Sequence, residues 1–366
     1  MTSGTVGAPG RGGTSGRGGA SGSGGTLGTG GSHTRRRLGR VVLAGAALVG
    51  LFLMLLRLIP ALQLMPFLAE AASFVPFGIL AWLVVIVVAL RSPVRRRRQL
   101  VVALAVAALV IQLSWVLPYY IRNAPQSPSG TTSAGTTPTG TLVKVASINI
   151  LGGKSDIARV SEDTADRDVV ILIELDPETE AYVETLGWAD RYPFRVGRSD
   201  PDRAPGLKIY SRFPLTELED LDLYLGGHVV EVKPPTGQPL VLLSAHAITP
   251  LLGARGWRAD GNRIADAAAQ YRGRPLLVIG DFNATPDHLT VRTIRARAGL
   301  TSVSDDLGAG WLPTWPADTA IPPILPLDQA FVAGPVVPTE IRTLPAPTSD
   351  HRGLTVDIVV GASPGP

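Results

Sequence analysis

The sequence of 366 residues contains no cysteine. Without cysteine the chain can form no disulfide bond and no zinc site with thiolate ligands. The absence is compatible with a domain that is exported from the cell, where unpaired thiols would be open to oxidation.

Acidic residues are almost missing from the first part of the chain. Up to residue 140 the sequence has 13 arginines and a single acid, Glu70, which gives a net charge of +12. The rest of the chain has 21 basic and 29 acidic residues, a net charge of −8. The C-terminal part therefore lacks the broad positive field of a general nucleic-acid-binding domain.

Composition divides the chain into four segments. Residues 1–40 form a tail rich in Gly, Ser and Thr that ends in arginines and lacks the apolar side chains needed to offset the entropy of ordering. Residues 41–120 are dominated by Leu, Val, Ala and Ile, and residues 121–140 are a Pro/Ser/Thr/Gly linker. Residues 141–361 have the composition of one globular domain. We therefore expect a disordered tail, a membrane region, a flexible linker and a folded domain.

The membrane region contains three apolar stretches, at residues 41–62, 67–90 and 100–117. Each is near the ~20 residues that a helix needs to cross a bilayer. Buried core helices would need amphipathic partners that this region lacks, and a signal peptide would need a small-residue cleavage site after a short apolar core. The pattern predicts three transmembrane helices, with Arg57 near an end, where its side chain can reach the lipid headgroups.

Arginines flank these stretches unevenly. Four precede the first stretch, between residues 35 and 40, and five lie between the second and third stretches, between residues 91 and 98. The loop between the first and second stretches carries only Glu70. Because positively charged loops stay in the cytoplasm, the N-terminus is predicted to be cytoplasmic. The globular domain of this multi-pass cell-membrane protein is then predicted to be extracytoplasmic.

Four apolar runs in the globular domain end in polar side chains. The residues at or just after their ends are Asn149, Glu174, His246, Asp281 and Asn283. Helical stretches intervene, at residues 177–186, 257–271 and 290–298. The alternation favours an α/β or α+β fold with a mixed sheet. Because polar strand ends of this kind gather at one rim of a sheet, we expect a functional site there.

Each polar residue also has a purely structural interpretation when it is taken alone. The two asparagines could form Asx turns. Glu174 could be an exposed acid at a strand end, and His246 could be a hydrogen-bonded structural histidine. Asp350 and His351 could be a loop pair without chemistry. Their common order along the chain is what favours a shared site.

This order resembles the endonuclease/exonuclease/phosphatase superfamily over about residues 141–361. The most specific motifs are Gly280-Asp281-Phe282-Asn283 and Ser349-Asp350-His351. The supporting motifs are Ser147-Ile148-Asn149, Ile173-Glu174, Ser211-Arg212-Phe213-Pro214, Ala245-His246 and Leu327-Asp328-Gln329-Ala330-Phe331-Val332. One departure is Gln329, where many relatives have His or Tyr. The resemblance implies a two-sheet β-sandwich flanked by helices, with the site at one end.

The resemblance also implies a metal ion. Glu174 would hold Mg²⁺, helped by Asn149 and Asp350, and Mn²⁺ is an alternative ion. Such oxygen ligands suit a hard cation that keeps several waters for a phosphate to replace.

The remaining residues would carry the hydrolysis. By resemblance, Asp328 would orient His351, and Asp281 would position or deprotonate the attacking water. Asn283 and His246 would donate hydrogen bonds to phosphate oxygens as charge develops. The resemblance leaves the formal general base open.

Three functions are compatible with these features: a membrane-tethered phosphoesterase acting on lipid-linked phosphate, a surface nuclease, and a non-catalytic ectodomain. The complete set of polar residues argues against the last. The acidic domain and its short tether favour a membrane lipid over nucleic acid as the partner. The layout also resembles the membrane-bound teicoplanin-resistance proteins of actinobacteria. That resemblance implies a cell-wall lipid carrier such as undecaprenyl pyrophosphate as the substrate, and a link to antibiotic resistance.

Overall fold

The computed structural model describes residues 30–122, 139–202, 204 and 206–363. The helices within them are α1 Gly30–Leu58, α2 Pro66–Ala72, α3 Gly78–Leu90, α4 Arg95–Val116, α5 Ile157–Asp163, α6 Pro177–Thr185, α7 Trp188–Arg191, α8 Ala254–Gln270, α9 Leu289–Ala298 and α10 Val303–Leu307. The strands are β1 Thr139–Asn149, β2 Val169–Ile173, β3 Phe194–Arg198, β4 Leu207–Ser211, β5 Leu215–Asp220, β6 Gly227–Val232, β7 Leu240–His246, β8 Leu276–Asp281, β9 Thr301–Ser302, β10 Asp328–Ala333, β11 Val336–Leu344 and β12 Gly353–Ser363. Short 3₁₀ helices lie at Pro60–Leu64, Val75–Phe77, Leu117–Tyr119 and Pro250–Leu252.

The predicted tail and linker lie largely outside the described residues, at 1–29 and 123–138. The described residues at the C-terminal end of each segment belong to regular secondary structure. Helix α1 begins at Gly30, inside the predicted tail, and β1 begins at Thr139, inside the predicted linker.

The strands form two six-stranded sheets. The order in the first sheet is β11-β12-β1-β2-β4-β3, and the order in the second is β5-β6-β7-β8-β10-β9. In the first sheet β1 and β2 run parallel, with Asn149 opposite Ile173. In the second sheet β7 and β8 run parallel, with His246 opposite Asp281. Both sheets are therefore mixed, and each parallel pair brings its polar strand ends to one edge.

Three apolar layers hold the sheets and their helices together. The inner layer lies between the sheets and includes Val145 and Ile171 from one and Leu242 and Ile279 from the other. The outer face of the first sheet is covered by α5, α6 and α7. The outer face of the second is covered by α8 and α9. The structure thus confirms the predicted two-sheet sandwich flanked by helices.

The N-terminal part contains helices that are long and apolar enough to cross a membrane. Two of them qualify as single helices, at Arg37–Leu58 and Arg95–Tyr119. The predicted span at 67–90 is not one helix, because Pro66–Ala72 and Val75–Leu90 are bent by 58° relative to each other. The helices break just before Pro76, whose ring and missing N–H interrupt helical hydrogen bonding. The region therefore offers two spans, or three if the bent pair counts as one.

Polar contacts join this N-terminal part directly to the sandwich. Arg57 forms an ion pair with Asp287 and lies 4.8 Å from the centre of the Trp115 ring. The sequence predicted that Arg57 would reach the headgroups; instead it neutralises a carboxylate that is almost fully buried. Beside this pair, the buried Gln63 side chain accepts a hydrogen bond of 2.7 Å from the Leu289 N–H at the start of α9.

Helix α2 contributes to the core of the second sheet's outer layer. Ala69 is fully buried in the same apolar cluster as Trp257 and Val291. Its carbonyl oxygen accepts a hydrogen bond of 2.8 Å from His288 Nε2. At the next residue of α2, the Glu70 carboxylate accepts a hydrogen bond of 3.0 Å from the Thr249 hydroxyl. The short helix is thus an integral part of the sandwich packing.

Because His288 is held as a neutral ring, the stability of the protein should depend on pH. Its Nδ1 accepts from the Thr285 N–H at 2.7 Å, and burial lowers its pKa to about 4. The unfolded chain, with a histidine pKa near ~6.5, binds this proton first. Stability is therefore fully present above pH ~6.5 and is lost as the pH falls toward 4. We expect the thermal midpoint of the full-length protein to fall over this window, and to fall less steeply in His288→Asn. Equal slopes in the two proteins would contradict this assignment.

Candidate active site

Asn149 connects the ends of the two parallel pairs. Its Nδ2 donates to Glu174 Oε1 at 3.0 Å and to Asp281 Oδ2 at 3.2 Å. Its Oδ1 accepts from the Leu151 N–H at 3.0 Å, which is an Asx turn. Asn149 therefore forms the Asx turn of the purely structural interpretation and also contacts two other predicted site residues.

Glu174 follows the last residue of β2 in an unusual backbone conformation. Its φ is +61°, in the left-handed region, where a residue other than glycine carries a cost of roughly 1–3 kcal/mol. Asn283, at the corresponding place after β8, has a φ of +46°. Such conformations persist where the surrounding structure enforces them, and here they direct the chain away from the sheet edge immediately after the site residues.

The second sheet supplies Asp281, His246 and Asn283. Asp281 is fully buried, and its Oδ1 accepts from the Asn283 N–H at 2.9 Å. His246 Nε2 lies 3.7 Å from Asp281 Oδ2 and 3.9 Å from Glu174 Oε1, while its Nδ1 is 3.2 Å from the Ala204 carbonyl oxygen. The Asn283 side chain donates to the Ala247 carbonyl at 2.9 Å. All three predicted residues therefore surround one point at the sheet edge.

His351 lies between two buried carboxylates. Its Nδ1 is 2.8 Å from Asp328 Oδ2, and its Nε2 is 3.6 Å from Asp281 Oδ2. Asp328 begins β10 and is paired with Asp281 across the antiparallel β8–β10 ladder. The sequence-based expectation that Asp328 orients His351 corresponds to this hydrogen bond.

The charges of this group favour a protonated histidine. Burial opposes the charge on His351, but the carboxylates of Asp281 and Asp328 outweigh it and raise its pKa to about 10. Burial would also raise the pKa of Asp281, yet His351, His246 and hydrogen bonds from Asn283 and Asn149 hold it below its ordinary value. Burial raises the pKa of Asp328. Around neutral pH the site thus pairs an ionised Asp281 with an imidazolium.

Two groups of side chains at the site have donors that suit a metal ion. Ligating atoms of Asp281, Asp328 and His351 all lie within 4.8 Å of one another, but this buried cluster could hold a cation only with His351 in its neutral form. The predicted ligand set differs from it and combines Glu174 and Asn149 with Asp350. Asp350 Oδ1 is buried and has no hydrogen-bond partner among the described residues. An unsatisfied carboxylate oxygen on the residue next to His351 suits a hard divalent cation. In this geometry Asn149 presents its Nδ2 to Glu174, so it can also act by holding that carboxylate in place.

Two residues that fix the site were not among the predicted site residues. Thr314 is fully buried, and its hydroxyl accepts from the N–H groups of Leu327 and Asp328 at 3.2 Å each. The Ser349 hydroxyl donates to the Asn149 carbonyl at 2.7 Å. Each joins a site segment to a distant strand end. For Ser349 the available signal was its position directly before Asp350 in the motif.

The packing of β7 against β8 explains why the Gly280-Asp281-Phe282-Asn283 motif begins with glycine. It lies opposite Ala245 in the parallel β7–β8 pair, and a Cβ at this position would come within 2.1 Å of the Ala245 carbonyl oxygen. Only glycine lets the two strands approach closely enough to bring His246 beside Asp281.

A family model supports the assignment. The Endonuclease/Exonuclease/phosphatase family model matches residues 146–351, which include every predicted site residue. The chain therefore belongs to this family, whose members are hydrolases that act on phosphate esters and typically use a divalent metal. A comparison with curated proteins found no match.

Several solved structures are similar to the chain. An endonuclease/exonuclease/phosphatase family protein from Bacteroides thetaiotaomicron has 14% identity and a TM-score of 0.47, covering 61% of this chain and 99% of that one. A truncated Caenorhabditis elegans TDP2 has 15% identity and a TM-score of 0.47, covering 60% and 98%. Sphingomyelinase C from Streptomyces griseocarneus has 17% identity and a TM-score of 0.42, covering 59% and 99%.

Replacing Glu174 should separate metal binding from folding. Loss of even an outer contact to a metal ligand typically costs 10–100-fold, so Glu174→Gln should lower kcat/KM by at least ~100-fold and weaken Mg²⁺ binding. The measurements are phosphate-ester hydrolysis across a Mg²⁺ titration, and calorimetric Mg²⁺ binding. The control is Glu162→Gln, which removes an exposed acid on α5 and should change neither quantity. Full activity and unchanged Mg²⁺ affinity in Glu174→Gln would refute its role as a ligand.

Proposed function

We propose that this protein is a membrane-anchored, Mg²⁺-dependent phosphoesterase that hydrolyses a lipid-linked phosphate ester or pyrophosphate at the outer face of the membrane. The observation that carries the proposal is the path of two loops that leave the site. Both run from strand ends that carry site residues directly to residues 57–72, which we call the membrane-proximal segment.

The first loop follows His246. Three residues later, Thr249 donates its hydroxyl hydrogen bond to Glu70 on α2. The second loop follows Asn283, and four residues later Asp287 pairs with Arg57 at the end of α1. Four extended residues span at most about 14 Å. The rim of the site is thus held close to the ends of the helices that could cross the membrane.

An exposed apolar surface lies at this junction. On the sandwich side it contains Leu251 and Leu252, with 58% and 70% of their surface exposed. On the membrane-proximal side it contains Met65 and Phe67, with 60% and 79% exposed. Apolar side chains grouped in this way mark contact with a membrane or a partner. Beside the ends of apolar helices, the bilayer surface is the simplest partner.

The site residues then have the following roles. Glu174 and Asp350, with Asn149, would hold Mg²⁺, which would polarise the phosphate and stabilise its developing charge. Asp281, ionised and held by Asn149, orients the attacking water. His351 is kept protonated between Asp281 and Asp328, and it donates to a phosphate oxygen.

His246 and Asn283 lie three and four residues before the contacts with Glu70 and Arg57. A phosphate bound against them would therefore be a short stretch of chain from the apolar residues at the junction. The acidic charge of the domain, −8 after residue 140, further disfavours a long polyanion as the substrate. A cell-wall lipid carrier such as undecaprenyl pyrophosphate, in the manner of the teicoplanin-resistance proteins, is the candidate we favour.

A substrate panel distinguishes the proposed function from its alternatives. We expect full-length protein in mixed micelles to release phosphate from a polyprenyl pyrophosphate in Mg²⁺ and to release none in EDTA. Sphingomyelin tests headgroup release, and supercoiled plasmid tests nuclease activity. The matched control is Asp328→Asn, which keeps the size of the side chain and removes the charge that holds His351. Mg²⁺-dependent plasmid nicking without lipid hydrolysis would identify a surface nuclease, and inactivity toward all three would favour a non-catalytic ectodomain.

The apolar loop offers a separate test of membrane approach. We expect the double variant Leu251→Ser, Leu252→Ser to raise KM for a vesicle-borne substrate about tenfold, because it removes apolar surface worth ~1.4 kcal/mol or more. Hydrolysis of a small water-soluble phosphodiester should not change. The control, Leu142→Ser, alters an exposed leucine seven residues before Asn149 on β1, about 23 Å from the site end of that strand. An equal loss on both substrates would mean that the loop supports the site and not membrane approach.

A further inference from the structure

A cavity of about 580 Å³ lies among the N-terminal helices, far from the candidate active site. It is lined by the first turns of the apolar part of α1, the end of α3, the connection at residues 91–94 and the start of α4. Its volume is within the ~300–1,000 Å³ range of small-ligand sites. Helix α3 packs against both α1 and α4, so the cavity is bounded by all three helices.

The lining is divided between charge and apolar surface. Arg40, Arg91, Arg97 and Arg98 contribute to the cavity. The apolar part of the wall includes Leu43, Val88, Ala89 and Val101, of which Ala89 is 1% exposed. A polar, cationic portion beside an apolar one matches an amphiphile with an anionic head.

The four arginines lack an acidic partner among the residues that the structure describes. The sequence has no Asp or Glu before Glu70 and none between Glu70 and Asp156. Glu70 itself is bonded to Thr249 at the junction with the sandwich. The segment that precedes α1 also contains no carboxylate, so an anionic ligand would meet no competing acid from this part of the sequence.

The cavity and the junction lie at opposite ends of α1. Arg40 and Arg57 are seventeen residues apart on this helix, about 26 Å at 1.5 Å per residue. This is close to the ~30 Å thickness of a bilayer's hydrocarbon core. If the contact between Arg57 and the sandwich lies at one surface of a bilayer, the cavity near Arg40 therefore lies at the depth of the lipid headgroups on the opposite surface.

We propose that this cavity binds an anionic phospholipid, with the phosphodiester on the arginines and the upper part of the acyl chains against the apolar wall. Guanidinium groups bind phosphate oxygens through paired hydrogen bonds. Basic pockets between membrane helices are known to hold anionic headgroups in this way. The site is independent of the catalytic proposal and of its substrate.

The test uses full-length protein in a mild non-ionic detergent. Dioleoyl-phosphatidylglycerol and dioleoyl-phosphatidylcholine share their chains and differ in headgroup charge. We expect native mass spectrometry to show retention of the anionic lipid and little of the zwitterionic one, and we expect only the anionic lipid to raise the thermal midpoint. Inorganic phosphate forms a third arm. Equal stabilisation by phosphate alone, or equal retention of both lipids, would overturn the proposal.

Two double variants separate the cavity from general surface charge. The double variant Arg97→Gln, Arg98→Gln removes two cavity arginines. It should weaken binding of the anionic lipid about 30-fold, because each arginine near a lipid headgroup contributes roughly fivefold to the affinity and the two act together. Arg95→Gln with Arg96→Gln removes the same charge from adjacent exposed positions that do not line the cavity, and it should leave binding within about twofold. Equal losses in the two variants would show that only the net charge matters and would refute the site.

A third variant tests the cavity without changing its charge. Ala44→Trp, at an exposed lining position on α1, should fill the space and reduce retention of the anionic lipid about tenfold or more while the arginines remain. Because the position is exposed, this variant should fold even if the arginine variants do not. Unchanged retention in Ala44→Trp would contradict binding inside the cavity.

Discussion

The side-chain amide of Asn149 holds the candidate site together. Its two N–H groups contact Glu174 from the first sheet and Asp281 from the second. Two carboxylates at this spacing would repel each other in a buried setting, and a neutral donor between them offsets part of that cost. The His351 imidazolium offsets more of it on the other side of Asp281. The other residues at the rim are positioned around Asp281 by backbone pairing. The ladder between β8 and β10 sets the position of Asp328, and the close approach at Gly280 sets the position of His246.

Much of the sandwich could be predicted from the sequence, because buried strands consist of short runs of apolar residues. The runs ending at Asn149, Glu174, His246 and Asp281 predicted a mixed sheet with its polar strand ends at one rim, because each run places a polar side chain at its end. Which strands run parallel could not be read from these runs. The pairing of Asp328 with His351 was implied by the family motifs alone. The break in the second apolar stretch was not anticipated, although Pro76 stands at it. A hydropathy pattern measures apolar content along the chain and carries no information on a bend between two helices.

The contacts between the membrane-proximal segment and the sandwich could not have been predicted. Arg57 and Asp287 are 230 residues apart, and neither has a local pattern that identifies its partner. Near the end of an apolar helix, an arginine is expected to reach water, which is the less costly outcome when no carboxylate is available. Nothing in the sequence indicated the partner of Gln63 either, because a lone glutamine in an apolar stretch can form hydrogen bonds with the backbone of its own segment. Only the folded arrangement shows that its partner is the N-terminus of α9.

The burial of Ala69 has a consequence for how the protein is made and how long it stays active. The sandwich completes one of its apolar layers with a residue that the ribosome delivers seventy residues before the first strand. The N-terminal helices must therefore take up their arrangement before the sandwich can reach its final packing. In a protein anchored as proposed, a cut between α4 and β1 would leave the contacts of Ala69, Arg57 and Gln63 in place, because both partners of each contact lie outside the connecting chain. These contacts would then oppose release of the sandwich from the N-terminal helices.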